Sequence, residues 1–303
     1  MTSRDLSFAL ELCRLANWNH LAADWQRLIE LDPEGVFLAE DDGRPCGTAS
    51  ATPYSTTTAW IGMVLVHPDF RRRGIGTILM NRAIEHLRLR GLEAIKLDAT
   101  DDGRPVYLKL GFRDEQPAWR YAAALPLPLL HPSPLRGEGR VRVTIADNRS
   151  NAGESPGCLG DRCLPACSGA APCLDDFAEL DLRAFGADRS ALLRTLRRDG
   201  FFAAIPGQGG GYGFARPGFG AAQIGPIVAA TPDVARRLVA DLLSQLPPGR
   251  VFWDLLPDHA DARQLAESLG FSVARRLTRM CLGDKTNPGD PSLVYAVAGL
   301  ELG

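Results

Sequence analysis

The stretch Met63-Val-Leu-Val-His-Pro-Asp-Phe-Arg-Arg-Arg-Gly-Ile-Gly-Thr-Ile-Leu-Met80 passes from a β-branched apolar run, through a basic loop holding two glycines, into a segment with helical spacing. Gly74 and Gly76 let backbone N–H groups approach a ligand closely, and the mouth of the following helix adds partial positive charge. Such a strand–loop–helix cradles a pyrophosphate with few side chains. A dinucleotide fingerprint needs a third glycine where Leu79 stands, and a nucleotide P-loop needs a Gly-Lys-Ser/Thr that does not follow. What remains is Arg71-x-x-Gly74-x-Gly76.

Upstream of this segment, helical spacing covers Leu6 to Leu15 and Leu21 to Leu31, with Asn17 and Asn19 at the break. Val36–Ala39 and Gly47–Ser50 read as short strands around an Asp42-Gly43 turn, and Ala59–Val66 reads as a buried strand. Downstream, Ile75 to Arg90 is an amphipathic helix stopped by Gly91, followed by a strand Ala94–Ala99, a short helix Pro105–Leu110 and a strand Trp119–Leu125. Hairpins followed by strand–helix–strand order predict an α/β unit of the α+β kind, a mixed sheet flanked by helices.

The chain repeats itself. Tyr107-Leu-Lys-Leu-Gly-Phe112 is echoed by Ala266-Glu-Ser-Leu-Gly-Phe271, Ile61-Gly-Met-Val64 by Ile224-Gly-Pro-Ile227, and Pro68-Asp69 by Pro232-Asp233, in the same order and at nearly one offset. A tandem repeat follows. The first unit takes residues 1–125, the second 173–283, and 284–303 form a tail in which Ser292–Val297 could add a closing strand. Between them, 126–172 are rich in Pro and Gly without apolar period, which predicts an unstructured linker or insertion. Cys158, Cys163, Cys167 and Cys173 at its end lack the C-x2-C knuckles of common zinc sites, so no metal is expected there.

Arg71-x-x-Gly74-x-Gly76 and Tyr107-x-Lys109-x-Gly111-Phe112, about 30 residues apart with a helix and a strand between, resemble the coenzyme A site of the GCN5-related N-acetyltransferase (GNAT) family, over residues 8–125. The whole resembles a tandem arrangement with a degenerate second copy. The resemblance implies two GNAT-like units, acetyl-CoA as co-substrate, no metal, and direct transfer of the acetyl group to a primary amine of a small molecule. It puts Arg71, Arg72, Arg73, Gly74, Ile75, Gly76 and Thr77 on the pyrophosphate, with Lys109 beside the cofactor. Val64 and Val66 then hold the pantetheine arm by backbone groups left free where their strand splays from its neighbour. An N–H of Leu65 or an adjacent residue meets the thioester oxygen.

Tyr107 in this pattern donates to the departing thiolate, though alone it reads as a packing tyrosine. Asp98, at a strand end, takes the ammonium proton, directly or through water, or caps the loop to Gly103. Trp18, Asn19, Trp60 and Met63 are candidates for the acceptor pocket, with Asp254 joining them if the second unit covers the cleft; core packing is the alternative for each. In the second unit Arg71 meets Ala235, Gly74 meets Leu238, Gly76 meets Ala240 and Tyr107 meets Ala266, so one working coenzyme A site is expected.

Composition sets the outer bounds. Thirty-four Lys+Arg against 36 Asp+Glu leave a net charge of -2, without the basic excess of a dedicated nucleic-acid binder. No apolar run is long enough to cross a bilayer and no cleavable leader opens the chain, which predicts a cytoplasmic protein, free of membrane, and a candidate homodimer. Competing readings are a protein lysine or N-terminal acetyltransferase, a non-catalytic acyl-CoA-binding regulator and an interaction scaffold.

Overall fold

Apolar periodicity places the elements of the first unit almost where the sequence predicts them. The computed structural model describes residues 1–126, 172–283 and 289–303. The expected linker therefore lies outside the described residues except for its ends, and Cys158, Cys163 and Cys167 lie outside with it. Helices α1 (Leu6–Leu15) and α2 (Ala22–Leu31) precede β1 (Val36–Asp41) and β2 (Arg44–Tyr54), which turn at Asp42 and Gly43, both at positive φ. Then follow β3 (Thr58–Val66), α3 (Ile75–Leu89), β4 (Ala94–Ala99), α4 (Arg104–Lys109) and β5 (Arg113–Leu125). The second unit repeats the order with α5 (Ala178–Phe185), α6 (Ser190–Asp199), β6 (Phe201–Ile205), β7 (Gly211–Arg216), β8 (Ala222–Ala229), α7 (Pro232–Gln245), β9 (Gly249–Leu255), α8 (Ala260–Ser268) and β10 (Ser272–Leu282). The tail adds β11 (Val294–Ala296).

The units do not keep separate sheets. Strand order is β1-β2-β3-β4-β10-β5-β9-β8-β7-β6, with β11 on β8. Each unit thus gives its last long strand to the other: β10 lies between β4 and β5, and β5 pairs with β9. Nothing in strand patterning marks this exchange, because alternation fixes which face is buried and not which strand lies alongside.

Alternate residues of the central strands feed opposite faces. Ile61, Ile95 and Leu97 pack with Met80, Ala83 and Leu87 of α3, while Val251 and Trp253 pack with Leu238 and Leu242 of α7 and Leu265 of α8. On the other face Trp60 and Tyr54 join Leu12, Leu28, Phe185, Leu192 and Phe214 in one cluster built from both units. The unit boundary is therefore a core: the halves share apolar surface as well as strands.

Polar side chains on that shared face occur as matched pairs. Arg279 of β10 forks onto Asp98 of β4 at 2.8 and 2.9 Å, and Arg120 of β5 forks onto Asp254 of β9 at 2.7 and 2.7 Å. In each pair the strands are direct neighbours and the residues are in register, Asp98 opposite Arg279 and Arg120 opposite Asp254. The two arginines lie 159 positions apart, the same offset as Tyr107 and Ala266, so the pairs are repeat mates. Each joins one unit to the other.

Candidate active site

Strands β3 and β4 are parallel and pair only from Thr58 to Trp60, after which β3 runs on with β2 alone. A bulge helps to part them. Met63 sits at φ 53, the pairing with β2 shifts between Thr48 and Ser50, and the Thr48 hydroxyl donates to the Met63 carbonyl at 2.9 Å. The His67 N–H bonds to Cys46 of β2 at 2.9 Å. Backbone direction alternates along a strand, so Leu65 also faces β2, and Val64 and Val66 turn their N–H and C=O groups into the gap. Leu65 is corrected: its N–H belongs to the β2 ladder.

At the open end of that gap, the basic loop meets α3. Arg71 to Gly74 are exposed, Arg72 and Gly74 adopt positive φ (63 and 81), and a side chain added at Gly74 would meet open space. The Ile78 N–H is the first to bond back into the helix, onto Gly74 at 3.0 Å, which leaves the N–H groups of Ile75, Gly76 and Thr77 pointing outward. Side chains stabilise the loop from outside: Arg71 Nε donates to Val66 O at 3.2 Å, and Arg73 pairs with Asp41 at 3.1 Å while lying over the Phe70 ring. Free amides, a helix mouth and three arginines fit a pyrophosphate. Lys109 is exposed at the end of α4, away from the cavity lining.

Where β3 and β4 part lies a partly open cavity, lined by Trp18, Met63, Val64, Asp98 and Tyr107 from the predicted set. Tyr107 enters on α4, its ring edge close against Gly103, and burial alone pushes its phenol up to about 12. Asp98 is buried in its fork with Arg279, whose guanidinium lies 4.4 Å from the Trp60 ring centroid. Burial lifts the Asp98 carboxyl above the usual aspartate range, with Arg279 pulling the other way.

Four further charged groups line the cavity that the sequence did not single out: His20, Arg120, Arg275 and Glu301. Glu301 arrives on the tail, whose approach requires a glycine on β3, since a side chain at Gly62 would lie 2.8 Å from the Glu301 carbonyl oxygen. His20 Nε2 stands 3.4 Å from Glu301, and Arg216 of β7 stands 3.4 Å from the other carboxylate oxygen. Burial pushes His20 down, but Glu301, the Cys13 hydrogen bond and Asp24 together lift the imidazole to about 10. Burial likewise opposes charge on Glu301, yet His20 and Arg216 hold it far below the ordinary glutamate range. The echo of Arg120 by Arg279 and of Asp98 by Asp254 was readable; the arrival of Glu301 beside β3 was not.

Three acceptor candidates are corrected. Asn19 clamps the second unit, donating to Ala221 O at 2.8 Å and accepting from the Gly220 and Ala221 N–H groups at 2.9 and 3.0 Å. Trp60 is core, packed beside Phe185 under Arg279. Asp254 is fully buried, its oxygens taken by Arg120 and by Gln223 at 2.8 Å, so Arg120 stands between it and the cavity.

The second unit lacks the loop. Only Ala230 and Thr231 separate β8 from α7, so the residues aligned with Arg71 and Gly74 are helical, and Ala235 and Leu238 are buried. Strand β8 does leave β9 after Ile224, but β11 fills the parting: it pairs with Ile227 and Val228, Val297 N–H bonds to Asp254 O, and Tyr295 O accepts from the Trp253 indole. The tail strand expected from Ser292–Val297 thus closes the second unit's cleft.

Comparison with known proteins follows this division. The profile described as acetyltransferase (GNAT) family matches residues 6–112, and that described as acetyltransferase (GNAT) domain matches 177–296. An N-acetyltransferase of Methanocaldococcus jannaschii, described as uncharacterized, is 33% identical over 98 residues, 29% of this chain and 43% of that protein, so the match spans less than half of its length. A holothin acyltransferase of Pseudoalteromonas is 24% identical over 292 residues, 94% of this chain and 87% of its own. A solved structure of a candidate acetyltransferase from Pyrococcus horikoshii superposes with a TM-score of 0.78 at 24% identity, covering 100% of this chain and 94% of that one, a likeness of fold. With two matching profiles in tandem covering most of its length, the chain belongs to the GNAT acetyltransferase family.

Proposed function

We propose that this protein moves an acetyl group from acetyl-CoA to the amine of a small molecule, in its first unit. The observation that carries the reading is the parting of β3 from β4, which turns backbone groups of Val64 and Val66 away from the sheet, between the Arg71–Thr77 loop and a cavity reached by Tyr107. The loop amides and arginines hold the diphosphate; Val64 and Val66 hold the pantetheine arm, and a backbone N–H of this edge meets the thioester oxygen as negative charge grows on it. The tail residues Leu300 and Glu301 line the cavity, which suits a small acceptor better than a protein surface. The relative named for holothin supports the same reading.

The amine must attack as the free base. Arg275 disfavours an ammonium beside it, and Asp98 receives the proton, through water, on lone pairs that Arg279 leaves open. The amine nitrogen then bonds to the acetyl carbon, the carbon–sulfur bond breaks, the thiolate leaves, and the nitrogen sheds its remaining extra proton to water as the amide forms. With the Tyr107 phenol at about 12 and an alkyl thiol near 8.5, complete proton transfer is uphill by ~3.5 units or ~5 kcal/mol. Tyr107 therefore stabilises the thiolate by donating a hydrogen bond, and the thiolate is protonated from solvent on release.

Calorimetric titration with coenzyme A, followed by thiol-release assays across small amines, tests the proposal. Heat on titration and turnover with an amine are expected; no heat at all sinks it.

A further inference from the structure

Arg275 and Arg120 are direct register partners on β10 and β5, and both line the cavity. Like charges opposite each other across a ladder repel, and natural sheets avoid the arrangement unless something neutralises it. For Arg120 that partner is Asp254. Arg275 has no ion-pair or hydrogen-bond partner among the described residues, although it is half-buried. Burial and the neighbouring Arg120 disfavour its charged form, against smaller opposing pulls from Asp254, Asp102 and Asp101. The repeat sharpens the point: the position corresponding to Arg275 is Gln116, which lies opposite Arg279 in the same register. A neutral side chain therefore serves beside the fork that turns its carboxylate, Asp98, to the cavity, and a second cation stands beside the fork that turns its arginine, Arg120, there.

We propose that Arg275, with the free edge of Arg120, seats a carboxylate carried by the amine acceptor, so that the substrate class is amino acids or small molecules bearing an amine and an acid group together. An anion there supplies the counter-charge that Arg275 lacks. Guanidinium groups suit the task, since their planar donors match a carboxylate in pairs. Arg275 is a specificity-determining residue, and its role in acceptor choice rests on the acetyl-transfer reading given above.

The test pairs each L-amino acid with its C-terminal amide. With acetyl-CoA saturating, kcat/KM for the acid form should exceed that for the amide by about 10- to 100-fold, mainly through KM, and Arg275→Gln should erase the difference. A second arm titrates the same pairs calorimetrically into the protein–coenzyme A complex and needs no turnover: acids should bind and amides should not, with loss of the distinction in Arg275→Gln. If coenzyme A binds and the acids show no advantage over the amides, the anion seat is wrong while the cofactor reading survives. Coenzyme A failing to bind, with acids still preferred in direct titration, would leave the seat standing and overturn the transfer. A preference for succinyl-CoA over acetyl-CoA that Arg275→Gln abolishes would place the carboxylate on the donor and overturn the assignment to the acceptor.

Discussion

Replacing Asp254 with asparagine should cost several kcal/mol of stability. The Asp254 carboxylate accepts from Arg120 Nε and Nη2 at 2.7 Å each and from Gln223 Nε2 at 2.8 Å, with no exposure to solvent. Asparagine keeps one acceptor oxygen and presents an NH2 where a donor already points, while Arg120, itself buried, loses its counter-charge. Breaking a buried pair from one side costs about 3–5 kcal/mol. At roughly 2–4 °C per kcal/mol in a chain of this size, Tm should fall by on the order of 10 °C. Thermal and urea denaturation followed by tryptophan fluorescence would read it, since Trp253 is the adjacent residue and is fully buried. Arg120→Met combined with Asp254→Leu should regain at least half of the loss, because paired apolar replacements leave no stranded charge. A loss below about 1 kcal/mol in Asp254→Asn, or a double variant worse than the single, would refute the claim that the fork is buried and coupled.

Other outcomes follow from the same geometry. Gly74→Val forces a β-branched residue to φ 81 at the diphosphate loop and should abolish coenzyme A binding by calorimetry while the fold survives by circular dichroism. Tyr107→Phe should lower kcat by about 10- to 100-fold with little change in acetyl-CoA KM, since only a hydrogen bond to the leaving thiolate is lost; an unchanged kcat removes the phenol from the chemistry. Asn19→Ala removes three hydrogen bonds to the second unit and should cost about 1–3 kcal/mol in urea denaturation. His20 is raised from 6.5 to about 10, so its pairing stabilises fully below pH 6.5 and is lost as pH climbs through 10. Wild type should therefore lose more Tm than His20→Gln between pH 7 and 10.5, and parallel curves would contradict it.

How much of this was readable in the chain depended on the range of the interaction. Helix and strand positions followed local period, and Asp42-Gly43 followed turn chemistry. The conformation of the Arg71–Thr77 loop was legible because its glycines act through their own backbone. Asn19 and Trp60 were placed near the acceptor on position alone, and tertiary packing gave them other work: Asn19 holds residues 220–221, and Trp60 lies under Arg279. Glu301 and Arg275 escaped notice because nothing local marks a residue that meets the cavity from more than 150 positions away. Asp254 was placed with the acceptor pocket, but its partners are Arg120 and Gln223.

The exchanged strands also bear on how the chain reaches its final form. Strand β4 is complete by Ala99, yet its neighbour in the sheet ends at Leu282, so the first half cannot close its sheet until nearly the whole polypeptide has been made. During synthesis the unpaired edges of β4 and β5 stand bare, the condition under which strands join the wrong chain. Such long-range pairing slows folding, so refolding from denaturant should be sensitive to protein concentration, and residues 1–125 expressed alone should associate through those edges. The two halves are a single cooperative body, welded by the pieces they trade.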